Sequence, residues 1–408
     1  MKCRHCGSDV SHVLVDLGTA PPSNAYLTEA TINQPETWFP LNVMVCEKCW
    51  LVQVESSSRA ADLFNDEYAY FSSFSSAWLR HSEAYVEKMV QLLGLDHSSM
   101  VAEIASNDGY LLQFVRSKDI PCYGVEPTAS TAHAARDQGI ETIEEFFGVE
   151  LATHLAKNSK SADLIAANNV LAHVPDINDF VRGFAVLLKE EGVATFEFPH
   201  LMKMIEDRQF DTIYHEHYSY LSFSTVVDIF KVCGLSVFYV EQVPTHGGSL
   251  RVFAQRSDSG RRDIDGSVKE LLEREFAVGM KTKEFYQGFE SDAELSKAQL
   301  LDFLATAKEK SQHVAAYGAA AKGNTFLNYA GVKADLIEYV ADRNPAKQGK
   351  WMPGSRIPIV DEAHLQASKP DFVVILPWNI QDEVADQLAY IRQWGAKFVV
   401  VQPDFRIW

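Results

Sequence analysis

The 408-residue chain contains no run of the roughly 18 apolar residues that a membrane helix needs, and its opening "MKCRHCGSDVSH" holds no apolar stretch of an export signal. No membrane partner is expected, and the reading is of a cytoplasmic protein. Basic charge is also scarce: 37 Lys and Arg stand against 55 Asp and Glu, a formal charge of -18. Phosphate backbones are held by clustered cations, so a nucleic-acid partner is not expected either. Heptads, low-complexity tracts and short repeats are missing, which excludes a fibre or a solenoid. Nowhere does G-x-G-x-x-G follow a strand, which argues against a dinucleotide on the first sheet.

Cysteine is sparse, yet four of the six residues form two pairs, Cys3-x-x-Cys6 and Cys46-x-x-Cys49. Each pair can close two thiolates on one tetrahedral zinc, and in a cytosolic setting such spacing favours metal over disulfide. Four protein ligands leave no open position, so the zinc is expected to be structural. Cys122 and Cys233 stand in apolar surroundings and read as packing residues.

The length allows two or three domains. A polar stretch after Cys49 leads into an amphipathic helix around Leu79 to Leu95. From Met100 onward "MVAEIASNDGYLLQFVRSKDI" begins a series of strands alternating with helices, the pattern of a doubly wound parallel sheet. From about Ser257 to Gln312 the chain is charged and helical, and a second strand–helix series then runs to the end. The fold class is α/β, in three parts: residues 1–65, 66–258 and 259–408.

In open α/β sheets ligands bind at the carboxyl ends of the strands. The first strand carries Glu103 and ends in Ala105, Asn107, Asp108 and Gly109; the next ends in Glu126, where a carboxylate can accept two ribose hydroxyls. An acidic turn suits the cationic methionine portion of S-adenosylmethionine better than a pyrophosphate. Phe146 or Phe147 offers an adenine contact, and Asn168, Asn169 and His173 close the next strand. In the last part "YGAAAKGNT" precedes a helix whose amides, with Lys322 and Asn324, can receive an anion. Asp342, Lys347, Trp378 and Asn379 follow at strand ends, the tryptophan as a stacking surface.

The order of paired CxxC, "EYAYFSSFSS", "EIASNDG", "GVEP", "AANNVLAHVPD", "YHEHYSYLS", "THGGSLRV" and "YGAAAKGNT" resembles the nucleotide-sugar C-methyltransferases, the family of the tetronitrose and mycarose C3-methyltransferases. The likeness covers nearly the whole chain. It implies a zinc-bearing N-terminal module, a central Rossmann-like class I methyltransferase domain binding S-adenosylmethionine, and a C-terminal domain that holds a nucleotide-linked 4-keto-6-deoxy sugar. Ala105 departs from the glycine usual in the family. By the same resemblance Tyr68 and Tyr70 close over the methyl donor.

Methylating a sugar carbon requires removal of its proton, a donor for the enolate oxygen and a methyl group in line. "YHEH" collects proton-handling groups in four residues. By resemblance Tyr214 is the candidate base, with a pKa that a cationic neighbour would have to lower; His217 and His173 are candidates for lowering it, relaying the proton or holding the enolate, and Glu216 for orienting a histidine or binding a sugar hydroxyl. His246 is a candidate donor to the keto oxygen or a phosphate. A regular strand sends Tyr214 and Glu216 to one face and His215 and His217 to the other, so a turn is expected here. A metal on His215 and His217 lacks a third ligand. Competing readings are a small-molecule O- or N-methyltransferase, a nicotinamide-dependent sugar oxidoreductase and a noncatalytic zinc-bearing binding protein.

Overall fold

The computed structural model describes residues 1–55 and 71–408. In the N-terminal module β1 (His12–Ala20), β2 (Phe39–Val45) and β3 (Val52–Val54) form an antiparallel sheet, with Leu14, Val15, Leu17, Val43 and Val45 on its buried positions. The amphipathic helix follows as Ser76–Leu93. Ser75 accepts the Trp78 N–H at its start and Gly94 ends it in the left-handed region, while Ser82, Tyr85, Val86 and Met89 form the buried stripe.

The central sheet is built from β4 (Val101–Ile104), β5 (Cys122–Val125), β6 (Thr142–Ile143), β7 (Ala162–Asn168), β8 (Leu188–Pro199), β10 (Leu235–Val243) and β11 (Ser249–Arg256). Its order is β6-β5-β4-β7-β8-β11-β10, parallel through β8 and antiparallel beyond. All four residues of β4 are buried, as both faces of a helix-covered parallel sheet require. The order reverses beside β4, between β5 and β7, and there the crevice opens. Cys233 is buried and Cys122 half-buried.

Between β8 and β10 the chain leaves this sheet. A short helix, Leu201–Glu206, a 3-10 turn, Phe210–Thr212, and strand β9 (Ser219–Tyr220) cross to the N-terminal module, where Tyr220 pairs with Val52 and Ser219 with Gln53 on β3.

The charged helical region contains the helices Gly266–Ala277 and Phe289–Glu309. The last sheet has order β14-β13-β12-β15-β16-β17, from β12 (Val314–Tyr317), β13 (Val340–Ala341), β14 (Ile359–Val360), β15 (Phe372–Ile375), β16 (Lys397–Val400) and β17 (Arg406–Ile407), and only the β17 pairing is antiparallel. One hydrophobic core joins Leu14, Val43 and Val52 of the N-terminal sheet to Phe210 and Ile213 of the crossing segment and to Leu300, Phe326 and Val340 of the C-terminal part. A cavity of about 610 Å³ lies where the three parts meet.

Candidate active site and metal centre

The Sγ atoms of Cys3, Cys6, Cys46 and Cys49 all lie within 4.8 Å of one another, with Cys3 to Cys49 at 3.5 Å and Cys6 to Cys46 at 3.6 Å. Zn–S bonds of about 2.3 Å in a tetrahedron put sulfurs about 3.8 Å apart, so the four thiols fit one zinc ion. Gln53 donates from Nε2 to Cys3 Sγ at 3.3 Å, the kind of outer contact that orients a ligand. Among the described residues this is the one cluster able to hold a metal, and His215 and His217 form none. His215 instead turns to Phe39 of the N-terminal module.

The turn after β4 has three left-handed residues in alternation: Ala105 at φ 60°, Asn107 at 49° and Gly109 at 81°. Ala105 thus adopts the glycine-type conformation of the turn despite its Cβ. The Glu126 carboxylate accepts the N–H of Asn107 at 3.0 Å and of Thr128 at 2.9 Å, and sits on the cavity wall with Ala105, Asn107, Phe146 and Asn168. Phe146 is 52% exposed, whereas Phe147 packs on Phe180 and Phe184. Glu103 and Asp108 lie behind this wall. Glu103 is wholly buried and its pKa is held well above the usual range by desolvation, while Asp108 accepts from Ser73. Tyr68 and Tyr70 fall outside the described residues.

Whether this pocket suits a cation is tested by its polar atoms. On the cavity wall the side-chain oxygens of Asn168 and Asn169 are buried without hydrogen-bond partners. Amide oxygens in want of donors suit the ammonium of S-adenosylmethionine and offer nothing to a pyrophosphate, which brings only acceptors.

The carbonyl of Tyr214 accepts the His217 N–H at 2.9 Å, so Tyr214 to His217 is the expected turn. It brings Tyr214, Glu216 and His217 onto the cavity wall together, beside His173 and His246. The His217 ring lies 3.9 Å from that of Tyr214 and 4.7 Å from that of His173, centroid to centroid. Its Nδ1–H donates to the Thr212 carbonyl at 2.7 Å, which fixes the tautomer and leaves Nε2 to accept a proton. Burial, then His173, holds His217 well below the ordinary histidine range. His173 is brought down to about 4 by burial and by His246, and His246 to about 4 by burial and by Lys322. Desolvation favours the neutral form of these rings, which goes against a cationic neighbour for Tyr214 and leaves them the relay and enolate roles.

Glu216 is 3% exposed, and Asn24 Nδ2 donates to its two oxygens at 2.8 and 2.9 Å. Burial pushes this carboxyl up to about 7. Asn24 had no signal in the sequence, being one polar residue in a loop of a distant module.

From the C-terminal part Lys322, Lys347 and Asn379 reach the cavity, while Asn324, Asp342 and Trp378 do not line it. Trp378 is 6% exposed and offers no stacking face to a base: Lys322 Nζ covers its ring at 4.7 Å and its N–H donates to Asp211 at 2.8 Å. Asn324 is fully buried on the inner side of the helix Ala321–Ala330, and Asp342 holds the preceding loop by accepting the Ala319 N–H at 2.7 Å.

A second buried cluster was missed. Glu197, at 0% exposure, accepts from His81, Thr245 and Arg251, and these partners hold its pKa at about 2 against desolvation. It anchors the turn that carries His246, which sits in the left-handed region at φ 55°. The signal was present, a lone charge inside the apolar strand "VATFEFP".

Over 406 residues the chain is 32% identical to C-methyltransferase NovU of Streptomyces niveus, spanning 100% of this chain and 96% of that protein. It belongs to the C-methyltransferases. Family models agree along the chain: a zinc binding domain over residues 3–64, a methyltransferase domain over 78–240 and a C-methyltransferase C-terminal domain over 244–403. The protein is thus an S-adenosylmethionine-dependent methyltransferase of this family, with a zinc-binding N-terminal module. Solved structures resemble part of the chain more loosely. One is magnesium protoporphyrin IX methyltransferase from Synechocystis PCC 6803, with TM-score 0.34 and 14% identity over 44% of this chain and 79% of that one. Another is an S-adenosylmethionine-dependent methyltransferase from Clostridium acetobutylicum ATCC 824, with TM-score 0.35 and 11% identity over 44% and 92%.

Proposed function

We propose that the protein methylates a ring carbon, C3, of a nucleotide-linked 4-keto-6-deoxy sugar. The observation that carries this reading is the Tyr214–His217 turn: a phenol and a neutral imidazole, ring against ring, on the wall of a cavity shared with the cofactor turn. O- and N-methylation need no carbon base, and here the proton-handling groups outnumber what those reactions use. Tyr214 gives its own phenolic proton to His217 Nε2 and takes the C3 proton in its place, the Nδ1–H of His217 being already committed to Thr212. Glu216, held by Asn24, receives a sugar hydroxyl. Lys347, whose ammonium donates to the Ala319 carbonyl at 2.8 Å, faces the nucleotide diphosphate with Ala320 and Ala321. Ala105, Asn107, Glu126, Phe146 and Asn168 hold S-adenosylmethionine, which supplies the electrophilic methyl group. Unpaired acceptors on that wall disfavour the nicotinamide-dependent alternative.

The test is incubation with S-adenosylmethionine and freshly generated 4-keto nucleotide sugars in heavy water, followed by mass spectrometry and NMR. A methyl on a ring carbon supports the reading, and a methyl found only on oxygen or nitrogen overturns it. Tyr214→Phe is expected to lower both methylation and C3 exchange by about 100-fold or more, the usual range for loss of a general base, while S-adenosylhomocysteine still binds within about twofold.

A further inference from the structure

We infer that Lys322 is the catalytic electrophile of the reaction, the group that receives the developing enolate oxygen, and not a phosphate ligand. The assignment rests on the substrate class proposed above.

The position of Lys322 ties it to the proton-handling groups by short links. Its ammonium lies over Trp378, whose N–H goes to Asp211. Asp211 precedes Thr212, whose carbonyl holds His217 Nδ1. On the other side Trp378 abuts Gly247, where an added Cβ would stand 2.6 Å from the indole, and Gly247 follows His246. Lys322, His217 and His246 all line the same cavity, and the field of Lys322 contributes to the depressed basicity of both histidines. Lys347 is held elsewhere, by the Ala319 carbonyl and over the Tyr26 ring. Two cations thus serve two places.

Its hydrogen bonding is incomplete in a telling way. An ammonium has three donors; Lys322 gives one to Asn379 Oδ1 at 2.7 Å, and among the described residues no carboxylate lies within ion-pairing distance of it. Burial lowers the basicity of Lys322, and Asp211, across the indole, opposes this without occupying its donors. An ammonium with donors in reserve, fixed by an amide and an aromatic face, is preorganised for an oxygen that becomes negative only during reaction.

The step balances. The C3–H bond breaks, its proton going to the base. The electron pair forms a C3–C4 double bond as the carbonyl pair moves onto the C4 oxygen, which takes the Lys322 hydrogen bond. When C3 bonds the methyl carbon the C4 carbonyl is restored, and the pair of the broken S–C bond stays on sulfur.

The experiment compares wild type, Lys322→Met, Lys322→Arg and Lys347→Gln in steady-state methylation and in C3 deuterium exchange. Lys322→Met is expected to lower kcat by about 100- to 1000-fold, the usual size for loss of an oxyanion donor, with the sugar-nucleotide KM within about threefold and exchange falling in parallel. Lys322→Arg should restore part of the rate, and Lys347→Gln should raise KM instead. Lys322→Met that raises KM with kcat intact, or changes neither, overturns the assignment. Binding of S-adenosylhomocysteine confirms that a variant is folded; should the methionine variant not fold, full kcat and full exchange in Lys322→Gln would overturn it equally. If the wild type forms no carbon-methylated product, the substrate reading falls and this assignment with it. If it does and Lys322→Met keeps its kcat, only the assignment falls.

Discussion

Glu216 shows how a single residue carries the pH behaviour of the site. An exposed glutamate ionises near about 4.3, but burial raises this one to about 7, against the opposing hydrogen bonds from Asn24. The folded state therefore keeps a proton that the unfolded chain has released across that interval. Stability from this group is fully present below about pH 4.3, falls as pH rises and is gone above about 7, a loss of about 3–4 kcal/mol at 1.36 kcal/mol per unit. Glu216→Gln keeps an acceptor and drops the charge. It is expected to melt above the wild type at pH 8, with the gap closing by pH 5; melting curves across that range check it, and a pH-independent gap would refute it. At this scale the sequence was readable where chemistry clusters in the chain, as in "YHEH" and the two CxxC pairs. It was unreadable where partners come from afar: Asn24 is 192 residues from Glu216, and His81 is 116 from Glu197.

Among the elements, the strand–helix alternation was legible because parallel strands buried on both faces are short apolar runs. The crossing segment was not, since a two-residue strand such as Ser219–Tyr220 has no pattern of its own; its partner β3 defines it. "THGGS" shows what a loop element does here. Pro244 is followed by Thr245, which is pinned to Glu197, then by His246 at φ 55° and by Gly247 at φ 87°. Gly247 answers both a left-handed backbone and a close approach, because a Cβ there would stand 2.6 Å from Trp378 and 2.9 Å from Gln209. Gly247→Ala is expected to cost about 1–3 kcal/mol of stability from backbone strain and overlap. By displacing Trp378 beneath Lys322 it should also lower kcat more than it raises KM. Denaturant unfolding with steady-state kinetics measures both, and an alanine variant of wild-type stability would contradict the argument.

At the scale of the molecule, three stretches of sequence do not make three independent bodies. The zinc knuckle packs Cys3, Cys46 and Leu51 against Leu221 and Phe223 of the central domain. The sheet beside it shares a core with the helix Phe289–Glu309 and the last sheet. Strand β3, three residues beyond Cys49, carries β9 and so the end of the "YHEHYSY" segment. Zinc binding energy is then spent on aligning the catalytic turn as well as on folding a small module. Stripping the metal from the holoprotein with a chelator should therefore loosen a defined subset of the chain. Hydrogen exchange read by mass spectrometry is expected to lose protection in β3, in β9 and in the helix Phe289–Glu309, while β4, β5, β7 and β8 keep theirs, because their ladder hydrogen bonds lie within the central sheet and one of its faces packs in a core that holds no residue of the zinc module. Loss confined to the four cysteines and their immediate neighbours would mean that the module is an appendage. Loss of protection spread evenly over all three sheets would mean that the shared core, rather than the β3–β9 pairing, transmits the effect.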